Sequence, residues 1–207
     1  MRLFTIPLAP NPSKVMIYLA EKGIEIEQVF VNLVKGEHRS AEHLARNPLG
    51  SLPVLQLDDG SFLTESLVIL EYLDVLHPEP AMIGKTPTAR ARVRRLERIA
   101  DLSVLLPIAR IVHATRSPIG LPPSEEAAER ARRGLPEALG VLETSLAENP
   151  FVAGAEPSNA DSSLFAGINF GRVAKVALEV DLPPQDAWFE RFASRASAAA
   201  IRPGRKG

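Results

Sequence analysis

The chain has 207 residues, 45% of them hydrophobic, which is enough for a sizeable core and falls between the expectations for one domain and two. Its 24 Lys and Arg stand against 25 Asp and Glu, so no excess charge attracts a nucleic-acid backbone or an anionic membrane surface. It has no cysteine, which excludes disulfides, thiolate metal sites and a cysteine nucleophile, and leaves any thiol chemistry to a ligand.

Few apolar residues precede the prolines of the first fourteen positions, and no stretch reads as a signal peptide or a membrane span, so the expected location is the cytoplasm. Arg2 to Ile6 alternates apolar and polar residues, as does Ile26 to Leu33, and both are expected strands. Between them Lys14 to Lys22 reads as a helix with Val15, Leu19 and Ala20 on one stripe. Ser13 is a candidate N-cap and Gly23 a left-handed C-cap. A short helix is expected over Arg39 to Arg46. Strands follow at Val54 to Leu57 and Ser61 to Leu63 around Asp58-Asp59-Gly60, and then a helix at Glu65 to Leu76. The order is β-α-β-α-β-β-α.

His77-Pro78-Glu79-Pro80 breaks that helix, and after it no strand pattern survives. Thr88 to about His113 has Val93, Leu96, Ala100 and Val104 at helical spacing, with Pro107 as an expected kink. Ser124 to Glu148 and Asp186 to Ala200 also read as helices. Ser158-Asn159-Ala160-Asp161 opens another, with an acceptor at its cap and an acid in its first turn. Arg202 to Gly207 is expected to be loose. The fold class is therefore α/β plus all-α.

Two short segments suggest chemistry. In Asn47-Pro48-Leu49-Gly50-Ser51-Leu52-Pro53-Val54-Leu55 a proline leads directly into a strand, a first-residue or edge position. A cis bond before Pro53 would open Leu52 N–H and C=O to an extended peptide as an added strand; an ordinary trans turn is the alternative. Thr64-Glu65-Ser66 stands at a helix start, where free N–H groups favour a carboxylate, Ser66 adds a hydroxyl and Glu65 can meet an ammonium. Read alone, the same three residues are a capped helix start.

Together with Leu63-Thr64-Glu65-Ser66-Leu67-Val68-Ile69-Leu70-Glu71-Tyr72-Leu73, the Asn47 segment resembles the paired signature of the glutathione transferase superfamily, and the resemblance covers nearly the whole chain. It implies a thioredoxin-like domain over residues 1–78, a linker over 79–87 and an all-helical domain over 88–207 that holds a second-substrate pocket and dimer contacts. It also implies that Leu52 and Pro53 hold the cysteinyl backbone of glutathione, that Glu65 and Ser66 hold its γ-glutamyl end, and that His38 contacts the glycyl carboxylate. Ser158 to Asp161 is similar to the family's helix-cap motif, a folding element.

A free thiol with a pKa of about 8.5 is mostly protonated at neutral pH, and lowering it by two units takes about 2.7 kcal/mol of thiolate stabilisation. Relatives with a hydroxyl donor carry Ser or Thr before a Pro-Asn pair, whereas this chain has Ala9-Pro10-Asn11. Asn11 is the first candidate for the thiolate contact, Ser13 the second and Thr5 a third, with backbone N–H groups as the alternative. The resemblance implies a homodimer that joins glutathione to a small electrophile. Reduction of disulfides or peroxides on the same fold, and a non-catalytic binding protein, are the alternatives.

Arg90, Arg94 and Arg98 recur every four residues and read as a solvated helix face rather than an anion site. His38 and His43 lack the spacing for one helical face, so no metal site is expected. For Arg110 and His113 the sequence does not separate pocket from surface. Phe165, Phe170, Trp188, Phe189 and Phe192 read as core.

Overall fold

The computed structural model describes residues 1–176 and 183–201; the expected loose tail, Arg202 to Gly207, lies outside them. Four strands form one sheet in the order β2-β1-β3-β4: β1 Arg2–Thr5, β2 Glu27–Phe30, β3 Val54–Gln56 and β4 Phe62–Thr64. β1 and β2 run parallel, with Arg2 opposite Glu27, because α1 (Pro10–Lys22) supplies the crossover a parallel pair requires. β3 runs antiparallel to β1, Phe4 opposite Val54, and β4 pairs with β3, Val54 opposite Thr64. β2 ends three residues before its expected limit because Asn32 turns the chain, its carbonyl receiving Glu37 N–H and its Oδ1 Lys35 N–H. A single 3-10 turn, Glu37–Arg39, then leads into α2, Ala41–Arg46, which Ser40 caps through His43 N–H.

α1 begins at Pro10 with Ala9 at its cap, so the reading of Ser13 as N-cap is wrong: Ser13 is the fourth helical residue and its N–H bonds to Ala9 O at 2.9 Å. Proline at the first helical position is preset for the helix and its missing N–H costs nothing there, which is why the helix can start before the serine. Gly23 closes the helix at φ 64° as expected. Burial extends all round the helix, from Pro12 to Leu19, while Ala20 faces solvent. The cause is tertiary, since α1 packs on both α3 (Ser66–Leu76) and α8 (Asn159–Val173).

The single long helix expected after the linker is α4 Pro87–Arg98, a π-helical stretch Ile99–Leu105 and α5 Leu106–Arg116. Pro107 cannot donate to the ladder, and the disruption takes the form of this widened turn just before it, with Leu106 N–H bonded back to Asp101 O. α8 lies close against the widened turn: a Cβ on Gly167 would come within 2.8 Å of Leu105 Cα. Ser124 to Glu148 is two helices, α6 Glu125–Arg132 and α7 Leu135–Glu148, because Gly134 interrupts and Pro136 lacks the N–H that would bridge the gap. The last expected helix is α9 Pro183–Ala193 followed by a 3-10 turn, Ala196–Ile201. The five aromatics expected in the core are all buried, with Phe165 stacked on Phe189 at 4.9 Å between ring centres.

Ion pairs tie the strand-bearing and helical parts together. Arg195 donates Nε and Nη2 to the two oxygens of Glu21 at 2.6 and 2.8 Å, and Ser197 Oγ adds a third bond. Burial works against the Glu21 carboxylate, but Arg195 and Ser197 more than offset it and hold it below its ordinary range. The buried Lys14 ammonium pairs with Asp101 at 2.7 Å, and buried Asp74 accepts from Tyr18 Oη and pairs with Lys22 and Arg90.

Asp161 is fully enclosed. Its Oδ1 accepts Val152 N–H at 2.8 Å and Trp188 Nε1–H at 2.9 Å, while Oδ2 accepts Ser158 N–H and Oγ–H. Burial pushes the carboxyl upward and the donors oppose it. Asp161→Asn would turn an amide NH2 toward main-chain or indole N–H groups that can only donate, so the variant should unfold with about 2–4 kcal/mol less stability in a denaturant titration. A loss below about 0.5 kcal/mol would mean that this enclosed carboxylate is not a packing anchor.

Candidate functional site

The loop before β3 is held rigid from within. Buried Asn47 donates Nδ2–H to Ser51 O and Oγ at 3.0 and 2.9 Å and accepts Leu49 N–H on Oδ1 at 3.1 Å. Gly50 sits at φ 63°, where a side chain would be strained and would meet His38 O at 2.9 Å. The imidazole of buried His43 bonds Ser51 O at 3.2 Å. The Leu52–Pro53 bond, which the sequence left open, is cis. Leu52 N–H and C=O have no hydrogen-bond partner among the described residues.

Because Val54 lies opposite Thr64, the next step along the two strands sets Pro53 beside Glu65. Glu65 has φ 67°, a left-handed value uncommon for a residue with a side chain, and it stands outside α3 as its N-cap. No side chain caps this helix, so the alternative of a simply capped start is set aside. Ile69 N–H, bonded to Glu65 O at 3.0 Å, is the first main-chain donor used, which leaves those of Ser66, Leu67 and Val68 open. Leu52, Pro53, Glu65 and Ser66 thus gather at one sheet end, with main-chain donors and an acceptor for an extended peptide and both charge types for an amino-acid head.

His38 also lies at this end, its carbonyl against Gly50 and its Nδ1 buried without a partner. Burial, then the neighbouring charges of Arg39 and His43, lowers its pKa, so near neutral pH it offers a hydrogen bond rather than a cation.

The β1–α1 loop leaves the sheet at the same end, since Phe4 lies opposite Val54. Leu8 has φ 70°, Ala9 presents no donor side chain, and neither Pro10 nor Pro12 has an N–H. Ser13 N–H is spent on Ala9 O, so Asn11 N–H is the one open main-chain donor in the first turn of α1, and the Asn11 side chain is exposed beside it. Ser13 Oγ and Thr5 Oγ1 are both buried without a partner among the described residues.

A cavity of about 330 Å³ opens against this loop, lined by Ile6 to Pro10, by Val112, His113 and Arg116 of α5, and by Phe170 and Val173 of α8. A second, of about 640 Å³, lies between α5 and α6 and shares His113. His113 and Arg110 are therefore cavity residues, and Phe170 is both core and wall. Helical periodicity could not reveal this, because the cavity exists only where α5, α8 and the first loop meet. Arg90, Arg94 and Arg98 lie on a partly solvated face, as expected, and each also pairs with an acid: Asp74 at 3.2 Å, Glu71 at 2.7 Å and Asp101 at 2.9 Å. Among the described residues no group of three or more His, Asp or Glu could hold a metal ion, and no helix is long and apolar enough to cross a membrane.

Burial lowers the pKa of His113, whose Nδ1 lies 3.3 Å from Ser117 Oγ. The folded protein therefore binds this proton more weakly than the unfolded chain. The stability it contributes is complete above about pH 6.5 and is lost as pH falls through the lower folded value. An NMR titration should place His113 below about 6.5, and His113→Gln should remove its share of the acid-side loss. A value at or above 6.5 would contradict the buried setting.

Residues 1–75 match a family model described as "Glutathione S-transferase, N-terminal domain", and residues 104–196 match "Glutathione S-transferase, C-terminal domain". Over 209 aligned residues the chain is 34% identical to "Glutathione S-transferase 2" of Saccharomyces cerevisiae, covering 97% of this chain and 89% of that protein. It is 36% identical over 203 residues to human "Glutathione S-transferase theta-2B", covering 95% of this chain and 77% of that one. Among solved structures, Gtt2 of Saccharomyces cerevisiae superposes with a TM-score of 0.88 at 33% identity, over 98% of this chain and 100% of that one. A glutathione S-transferase domain-containing protein of Marinobacter aquaeolei superposes with a TM-score of 0.87 at 32% identity, over 95% and 99%.

Proposed function

The chain belongs to the glutathione S-transferase family, and from that premise we propose that it binds glutathione at the Leu52–Glu65 end of the sheet and directs its thiolate at an electrophile in the adjacent cavity. The observation that carries the reading is the unpaired main chain at Leu52 beside the uncapped first turn of α3. An extended tripeptide with a free α-amino acid head satisfies both: its cysteinyl amide pairs with Leu52, its γ-glutamyl carboxylate meets the open N–H groups and the Ser66 hydroxyl, and its ammonium meets Glu65. His38 stands toward the glycyl end.

Proximity of the α1 first turn does the rest. Asn11, through its N–H, its side-chain amide and the positive end of the helix, is the donor left to stabilise sulfur where Ala9 has no hydroxyl; Ser13 is second, its hydroxyl buried one turn in. The thiol proton leaves to solvent, the thiolate sulfur bonds to the electrophilic carbon, and the leaving group departs with its bonding pair. The division into residues 1–78, 79–87 and 88–207, and a homodimeric assembly, belong to the same reading and rest on family membership.

The missing hydroxyl at Ala9 also favours a second reading, reduction of a mixed disulfide by bound glutathione. Assays with a chloronitrobenzene and with a mixed disulfide separate the two, since only the first releases chloride.

Calorimetry should show saturable glutathione binding that Glu65→Ala weakens about tenfold or more, the cost of one charge-assisted contact. Unaltered affinity would remove Glu65 from the site. Asn11→Ala should raise the pKa of bound glutathione, followed by thiolate absorbance, by about one unit. An unmoved value would transfer the role to the Asn11 main chain and the helix end.

A further inference from the structure

Among the described residues no Asp or Glu lines either cavity, although acids outnumber bases in the chain 25 to 24. The charged side chains among the described linings are arginines: Arg116 in the cavity against the first loop, Arg110 and Arg130 in the larger one. Arg130 is matched by Glu126 at 2.7 Å, whereas Arg110 and Arg116 have no ion-pair partner among the described residues. Arg116, exposed at the rim, thus presents a guanidinium with no counterion among the described residues to a mostly apolar wall that also includes Ala9 and Pro10, just before Asn11.

We propose that the second substrate is an apolar electrophile bearing a carboxylate, and that Arg116 seats this carboxylate while the electrophilic carbon faces the β1–α1 loop. The inference rests on the glutathione reading above and names the class of its co-substrate. An anion enters an apolar cavity only if a partner replaces its water, and a guanidinium offers two parallel N–H bonds that fit a carboxylate. Arg116 is the last residue of α5, where the helix's negative end repels an anion, so the side-chain charge must supply the attraction. Arg116 and the loop residues Ala9 and Pro10 line one space of about 330 Å³, which has room for a single substituted ring between them. Glutathione has carboxylates of its own, but its proposed anchors are Ser66 and the α3 terminus, at the sheet end rather than on α5.

The test compares kcat/KM for a chloronitrobenzoate and for its neutral amide, near-isosteric electrophiles that both lose chloride to the glutathione thiolate. In Arg116→Met the acid-to-amide ratio should fall about tenfold, mostly through KM of the acid, and in Arg116→Lys by no more than about threefold. An unchanged ratio, or a parallel loss on both substrates with a raised KM for glutathione, overturns the proposal. A second arm measures Kd of the chloronitrobenzoate alone by ligand-observed NMR, without glutathione. It should weaken at least about fivefold in Arg116→Met. Equal Kd values in the wild type and this variant overturn the proposal even if conjugation proceeds. Carboxylate binding through Arg116 in a protein that takes up no glutathione would overturn the transferase reading, and with it the co-substrate role, and leave only the carboxylate site at Arg116.

Discussion

Main-chain donors and acceptors that face no protein partner are tolerable only where something polar replaces it, and this molecule concentrates them at one end of its sheet. Among the described residues the Leu52 main chain has no partner, and three N–H groups of α3 are open behind a glutamate held at a left-handed φ. Neighbouring residues are arranged to keep them so. Asn47 spends its amide on Ser51, Gly50 admits the close approach of His38, and the antiparallel register of β3 and β4 brings Glu65 to Pro53. Rigidity of this kind lowers the ordering cost of binding an extended peptide.

The β1–α1 loop at the same end depends on α1, which is shared between the two halves of the molecule. Its first turn has prolines where donors would normally stand, so a single N–H, that of Asn11, remains available. Its buried Lys14 meets Asp101 on the π-helical stretch, and Glu21 near its end meets Arg195 and Ser197. Charges removed from water in this way are costly unless well paired, so they specify one seating of the helix rather than supplying much net stability. The position of the first loop against the helical cavity follows from that seating.

The α5 cavity sets its two polar groups in different surroundings. Burial lowers the pKa of His113, while Arg116, exposed on the rim, has no counterion among the described residues. Apolar walls beside a rim cation select for shape and for charge at separate points, which is how a small cavity discriminates among ligands of similar size.

Much of this was legible in the sequence because it is local. Period-2 runs located β1 and β2, the Asp58-Asp59-Gly60 turn located β3 and β4, Gly23 ended α1 in the left-handed conformation a glycine permits, and Ser158 and Asp161 marked the start of α8. The two signature segments singled out Leu52, Pro53, Glu65 and Ser66, whose gathering at one sheet end follows from strand register. Local signals misled where a better local rule competed, as at Ser13, which lost the cap to the residue before Pro10, and at Gly134, which split one helix into two. Burial of α1 on all sides, the left-handed backbone of Glu65, the Glu21–Arg195 pair across 174 positions and the cavity that exposes His113 and Arg116 were decided by tertiary structure alone. Each depends on which distant segment packs against it, and spacing along the chain carries no record of that contact.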